Sequence, residues 1–259
     1  MTLRLILHRL SFVIFMLFIA CNSKKSSDKK DEIVIATAAN MQFSMKEITT
    51  AFEKETNIKC SLVISSSGKL TAQIKEGAPY DVFVSANMKY PEEIYNSGFA
   101  HTSPKIYAFG KLALWSLNKQ IKPNLTLLKD DRIKHIALAN PDTAPYGFAS
   151  VEVMKKLDIY NEVKNKLVYG ESISQTNQFI TLQSVEIGFT AMSVVLSSAM
   201  KEKGNWIEID KSLYTPIKQG VVVIKNKNII NPSAIKFYDF LFTDKAQIIL
   251  KNYGYDVHQ

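Results

Sequence analysis

Asn40, Ser66-Ser67-Gly68, Pro145-Tyr146-Gly147 and Ser172-Ile173-Ser174 are the places where residue type and spacing could do chemistry. Each stands where a short apolar run gives way to helical spacing, so each reads as a strand-to-helix turn. A helix start exposes N–H groups with no partner inside the helix, together with the positive end of the helix dipole. Several such starts aimed at one point hold an anion without any Lys or Arg. One turn alone is an ordinary cap, because Ser and Asn are favoured there for structural reasons. Four of them, spread over both halves of the chain, form the pattern of an oxyanion site.

Other chemistries find less support. Ser66 and Lys69 fit the S-x-x-K spacing of serine acyl enzymes, but no S-D-N or K-T-G partner follows, which leaves acyl transfer a distant alternative. There is no P-loop, no G-x-S-x-G and no H-E-x-x-H. His8, His101, His135 and His258 are far apart, with no metal-ligand spacing. Glu92-Glu93 and Asp130-Asp131 read as solvated faces and turns, and Asp81 as a structural residue opening a strand. Cys60 lies in an apolar run and is expected to be a small buried hydrophobe. The chain is therefore read as a binding protein and not an enzyme, with no cofactor and no side chain ligating a metal directly.

The elements that must position these turns alternate. Ile33 to Ala36, Cys60 to Ile64 and Tyr80 to Val84 read as strands, each followed by helical spacing. Ile136 to Ala139, Val168-Tyr169 and Ile187 to Thr190 repeat the theme. Such alternation predicts an α/β fold with mostly parallel sheets, in which ligands bind beyond the carboxyl ends of the strands. Lys105 to Leu117 and Tyr214 to Lys225 are long and strand-like, and read as two crossings between a split first lobe and an inserted second one. The expected division is 32–111 with 220–259 as lobe I and 112–219 as lobe II. A single last helix is expected from Ala234 to Leu250.

The N-terminus has its own logic. A basic start, Met1 to Arg9, precedes an apolar region of eleven residues from Leu10 to Ala20, interrupted only by Ser11, too short to span a bilayer and suited to a secretory signal. Phe18-Ile19-Ala20-Cys21 resembles a lipoprotein processing site, so 1–20 is read as the signal and Cys21 as the lipid-bearing residue. Residues 21–31, polar and without apolar residues after Cys21, read as a tether. The protein is thus expected in the cell envelope, on the periplasmic face, held to the membrane through Cys21. Residues 1–31 carry six basic and two acidic side chains; removing them from 32 and 24 leaves 26 and 22, a net +4. That balance gives no case for nucleic-acid binding.

Three further stretches carry a family resemblance: Ala38-Ala39-Asn40-Met41, Ser66-Ser67-Gly68-Lys69-Leu70-Thr71-Ala72-Gln73-Ile74, and Gly77-Ala78-Pro79-Tyr80-Asp81-Val82-Phe83-Val84-Ser85-Ala86. With Asn140 to Gly147, Gly188 to Ser193 and Phe237 to Tyr255 in the same order, the chain resembles periplasmic molybdate-binding proteins of ABC transporters from Glu32 to Val257. The resemblance implies a type II-like periplasmic binding protein, two doubly wound lobes joined by two crossing strands. It implies a monomer that closes on molybdate or tungstate and hands it to a permease. Carried over position by position, the oxyanion contacts fall on Asn40, Ser67, Tyr146 and the backbone N–H of Ile173, with Ala39 and Ser66 beside them. Ala191 stands where some members place a tyrosine hydroxyl, and Tyr146 is expected to supply one instead. Alternatives are another oxyanion, sulfate first, and an anion-sensing lipoprotein. A pocket of donors alone rejects an anion that still carries a proton, since that proton finds no acceptor.

Overall fold

Strands buried on both faces need helices on both faces, and the apolar runs of this chain satisfy that demand twice. The computed structural model describes residues 31–225 and 229–257. The signal, Cys21 and all of the tether but Asp31 lie outside the described residues. Among those described, no helix is long and apolar enough to cross a membrane.

The first half runs β1 (Glu32–Ala38), α1 (Gln42–Thr56), β2 (Lys59–Ser65), α2 (Ser67–Lys75), β3 (Val82–Val84), α3 (Lys89–Asn96) and β4 (Lys105–Gly110). The second runs β5 (Leu112–Ser116), β6 (Ile136–Ala139), α4 (Pro145–Lys156), α5 (Tyr160–Val163), β7 (Leu167–Gly170), α6 (Ile173–Thr181), β8 (Ile187–Ala191), α7 (Met192–Val195) and β9 (Asn205–Glu208). The chain then returns through β10 (Ile217–Val223) and closes with α8 (Pro232–Phe240) and α9 (Asp244–Asn252). One sheet has the order β2-β1-β3-β10-β4 and the other β7-β6-β8-β5-β9. Each contains three parallel strands, with β10 antiparallel to β3 and β4 in one and β5 antiparallel to β8 and β9 in the other. Lys111 alone separates β4 from β5, so the chain changes sheets there, and β10 brings it back.

Period-2 alternation sorts the first sheet's side chains into two cores. Ile33, Ile35, Val82, Val84, Val221 and Val223 pack with Met45, Ile48 and Phe52 of α1 and Phe237 of α8. Ala36, Phe83 and Val222 face the other way, onto Leu70, Ile74 and Ile94. Phe52 meets Phe237 edge-on at 5.2 Å between ring centroids, the T-shaped geometry aromatic quadrupoles favour. A third core surrounds the second sheet, with Trp115, Leu138 and Phe189 fully buried.

The C-terminal helix departs from expectation. Ala234 to Leu250 forms two helices, because Thr243 caps a new start, its hydroxyl accepting from the Ala246 N–H at 3.4 Å. Thr243-Asp244 is an N-cap signal that the apolar stripe running across it conceals. After β8, too, helical structure is limited to the single turn α7, and the chain continues in turns.

Candidate functional site

A small cavity lies where the two sheets face each other. From the first sheet's side it is lined by Ala38, Ala39 and Asn40 after β1, Ser66 and Ser67 at the start of α2, and Ala86 after β3. From the second it takes Ala144, Pro145 and Tyr146 at the start of α4 and Ile173 at the start of α6. All six sequence-derived positions, Asn40, Ser67, Tyr146, Ile173, Ala39 and Ser66, therefore line one space. Ala191, fully buried at the end of β8, is not among its walls. About 10 Å³ of the cavity is open to the centre of a water-sized sphere, the least that admits one such molecule.

None of these ten walls is charged. Ser67 and Ile173 are the first residues of their helices and Tyr146 the second residue of α4, after Pro145. Their N–H groups are among those a helix start leaves without an intrahelical partner. Proline at the first position of α4 suits that place, since it gives up only an N–H that the helix would leave free.

The serine side chains differ. Ser67 Oγ accepts from the Ala86 N–H at 3.0 Å, which keeps its own proton free to donate. Ser66 Oγ is buried and has no partner among the described residues. A buried hydroxyl without a partner on a cavity wall is costly unless something in the cavity bonds it.

Asn40 anchors a buried polar network behind the cavity. Its Nδ2 donates to Gln219 Oε1 and to the Tyr255 hydroxyl, both at 3.0 Å. Its carbonyl accepts from Ser193 Oγ at 2.8 Å and from Tyr255 at 3.1 Å. Gln219 also accepts from the Tyr107 hydroxyl at 2.8 Å and donates through Nε2 to the Tyr146 hydroxyl at 3.1 Å. The Tyr146 hydroxyl expected to reach the anion is instead taken into this network, with the ring end against Gly110, where a Cβ would stand 2.1 Å from the hydroxyl, so only glycine fits the end of β4. Burial pushes Tyr107 and Tyr146 well above the ordinary tyrosine range and Tyr255 up to about 12, so all three keep their protons at neutral pH. Sequence reading missed Gln219, Tyr255 and Tyr107.

Contacts across the rim join the two sides. The Gly68 N–H donates to the Thr143 carbonyl at 2.9 Å, Tyr90 Oη to the Asp142 carbonyl at 3.1 Å, and Ser174 Oγ to Gln42 Oε1 at 2.8 Å. Lys69 pairs with Glu171 across the same rim, both side chains largely exposed. The S-x-x-K lysine is thus committed to a carboxylate. Cys60 is half-buried rather than buried, its thiol pushed up to about 12 by desolvation and then by Glu53 and Glu32. Among the described residues no group of three His, Cys, Asp or Glu side chains could hold a metal ion.

Residues 33–256 match the family of bacterial extracellular solute-binding proteins. The molybdate-binding protein ModA of Azotobacter vinelandii is 38% identical over 226 residues, covering 86% of this chain and 89% of that protein. ModA of Rhodobacter capsulatus is also 38% identical over 226 residues, with 86% and 88% covered. Among solved structures, the periplasmic molybdate-binding protein of Azotobacter vinelandii superposes with a TM-score of 0.82 at 31% identity, covering 88% of this chain and all of that one.

Proposed function

Because the chain belongs to the bacterial extracellular solute-binding proteins, alongside the molybdate-binding protein ModA, we propose that it captures molybdate or tungstate for the permease of an ABC transporter. The observation that carries this reading is the charge-free cavity walled from both sheets by helix starts and hydroxyls. Ser67, Tyr146 and Ile173 donate through backbone N–H groups and Ser66 and Ser67 through hydroxyls, while Asn40 lines the wall with its amide protons held by Gln219 and Tyr255. Ala39 shapes the wall. Each bond to an ionised oxygen contributes ~1.5–3 kcal/mol, so several together offset the desolvation of a dianion.

The reading is of a binder without turnover. Ser66 Oγ has no base bonded to it among the described residues, and Lys69 is held by Glu171. The cavity's size suits one small inorganic ion, and that same size makes sulfate the second reading. The processing pattern at Cys21 supports a lipid-anchored form acting outside the cytoplasmic membrane.

Isothermal titration of the full chain in detergent with molybdate, tungstate, sulfate and phosphate tests this. One-to-one binding of molybdate and tungstate, with sulfate much weaker and phosphate silent, is expected. Heat from sulfate alone transfers the site to the second reading, and silence from all four ends the oxyanion reading.

A further inference from the structure

Two sets of contacts join the sides of the cavity, one at its rim and one behind it. At the rim are the bonds between Gly68 and Thr143, Tyr90 and Asp142, and Ser174 and Gln42. Behind the cavity a single side chain, that of Gln219 on β10, reaches a wall residue of each side. It meets the Asn40 amide at 3.0 Å and the Tyr146 hydroxyl at 3.1 Å.

The placement of Gln219 is unusual for a glutamine. It stands on one of the two strands by which the chain passes between the sheets. The pairing of β10 with β4 shifts register between Gln219 and Gly220, an irregularity of the kind that re-aims a side chain. The residue is fully buried, on a strand whose Ile217, Val221, Val222 and Val223 are buried too. A polar end there costs free energy unless it is bonded. Its bonds go to Asn40, to Tyr146 and, at 2.8 Å, to Tyr107. Tyr146 meets the other crossing as well. A Cβ on Gly110, one residue before the chain changes sheets, would stand 2.1 Å from the Tyr146 hydroxyl and 2.6 Å from Gln219 Nε2. A phenol from the second sheet's side is thus pinned between the two strands that connect the sheets.

We propose that Gln219 is a positioning residue of the cavity, tying Asn40 of one wall to Tyr146 of the other and so fixing how far apart the two sets of donors stand. This rests on the oxyanion reading of the cavity.

The Tyr146 hydroxyl and the Tyr146 N–H belong to one residue, so holding the phenol at the crossing fixes where the first turn of α4 presents its N–H. On the opposite wall, holding the Asn40 side chain fixes the segment between β1 and α1. An anion then meets donors already spaced for it, and less freedom is lost in ordering them. The joint consists of separations between heavy atoms, and turning either amide end for end leaves those separations in place. Contacts beside the crossings move least when the two sides part and contacts at the rim move most, so the joint holds while the rim opens. The joint also separates two roles for the Tyr146 hydroxyl. As a ligand it would act on the anion directly; as half of the joint it acts only through Gln219.

The test is a double-mutant cycle on the full chain in detergent, with sodium molybdate as probe, titration calorimetry as readout and anion-free thermal unfolding alongside. Tyr146→Phe removes the hydroxyl and keeps the ring and the backbone N–H; it is expected to weaken molybdate about three- to tenfold. Gln219→Met should weaken it at least as much. Tyr146→Phe added to Gln219→Met should then cost almost nothing further, because both changes break one joint. If Gln219→Met shows no cooperative unfolding, Gln219→Asn, which keeps the amide and withdraws it by one methylene, takes its place in the cycle. The same loss from Tyr146→Phe in both backgrounds overturns the proposal, since the hydroxyl would then serve the anion itself. Variants that lower Tm and bind molybdate like the wild type overturn it too, because the network would then only stabilise the fold. A wild type that fails to bind molybdate at all removes the oxyanion reading, and this inference with it.

Discussion

Ser66 and Ser67 are neighbours on one cavity wall, yet the structure gives their alanine variants opposite effects on stability. Ser67 Oγ is the acceptor for the buried Ala86 N–H at 3.0 Å. Ser67→Ala strands that N–H, a loss of about 1–3 kcal/mol, and Tm falls about 2–4 °C for each kcal/mol in a domain of this size. Ser66 Oγ has no such partner among the described residues and is 3% exposed. Ser66→Ala therefore breaks no bond of the fold, and sparing a hydroxyl its desolvation leaves Tm unchanged or slightly raised. For binding the two converge. On the proposed reading each variant removes one hydroxyl proton given to an ionised oxygen, worth ~1.5–3 kcal/mol, so each should weaken molybdate about 10- to 150-fold. Thermal unfolding in anion-depleted buffer and calorimetric titration separate the two quantities. The reasoning fails if Ser66→Ala binds molybdate like the wild type, or if it unfolds as early as Ser67→Ala.

Gly68→Ala would place a Cβ 2.8 Å from Tyr90 Oη and 3.0 Å from the Thr143 carbonyl, both at the rim. Relieving that overlap costs about 1–3 kcal/mol of closure, so molybdate should weaken about tenfold while Tm without anion barely moves; unchanged affinity would show the rim contact to be dispensable. Stability should also respond to alkaline pH through the buried tyrosines. Burial raises Tyr255 to about 12, against about 10 in the unfolded chain. Its contribution is therefore complete below pH 10 and lost as the pH climbs towards 12, because the unfolded chain ionises first. Tm read from pH 8 to 11.5 should be level to about pH 9.5 and then fall, and a level trace to pH 11 would contradict a protonated, buried network.

How much of this was legible in the sequence follows from the range of each interaction. Strand and helix alternation is local, so the mixed sheets and the turns at Asn40, Ser66-Ser67, Tyr146 and Ile173 could be read from runs of ten residues. So could the cap at Thr243, although the apolar stripe from Ile235 to Ile249 masked the break. Gln219 and Tyr255 could not. They lie 179 and 215 residues from Asn40 and meet it only because β10 and the C-terminal tail return to the first sheet. A glutamine in a strand and a tyrosine in a tail carry no local mark of being buried together. Cys60 shows the same limit from the other side: its apolar neighbours suggested full burial, whereas β2 is an edge strand and leaves it only partly buried.

The absence of charge from the cavity walls has a mechanical reason. A lysine on one side would hold the anion whether or not the other side had closed over it, and the bound, open state would carry no signal. On the proposed reading the donors are divided: Ser66 and Ser67 stand on the first sheet's side, and the N–H groups of Tyr146 and Ile173 on the second's. An anion seated on the first side alone forgoes the last two bonds, together ~3–6 kcal/mol. That difference is what couples binding to closure. Shifting a two-state equilibrium from 1:99 to 99:1 takes about 5.5 kcal/mol of differential affinity, so two N–H groups at the upper end of their range suffice. The exposed Lys69–Glu171 pair across the rim adds little to this, as solvated ion pairs do. On this reading closure is governed by whether an ion of the right size reaches both sets of donors at once, and a permease reading the closed shape would read the presence of the ion.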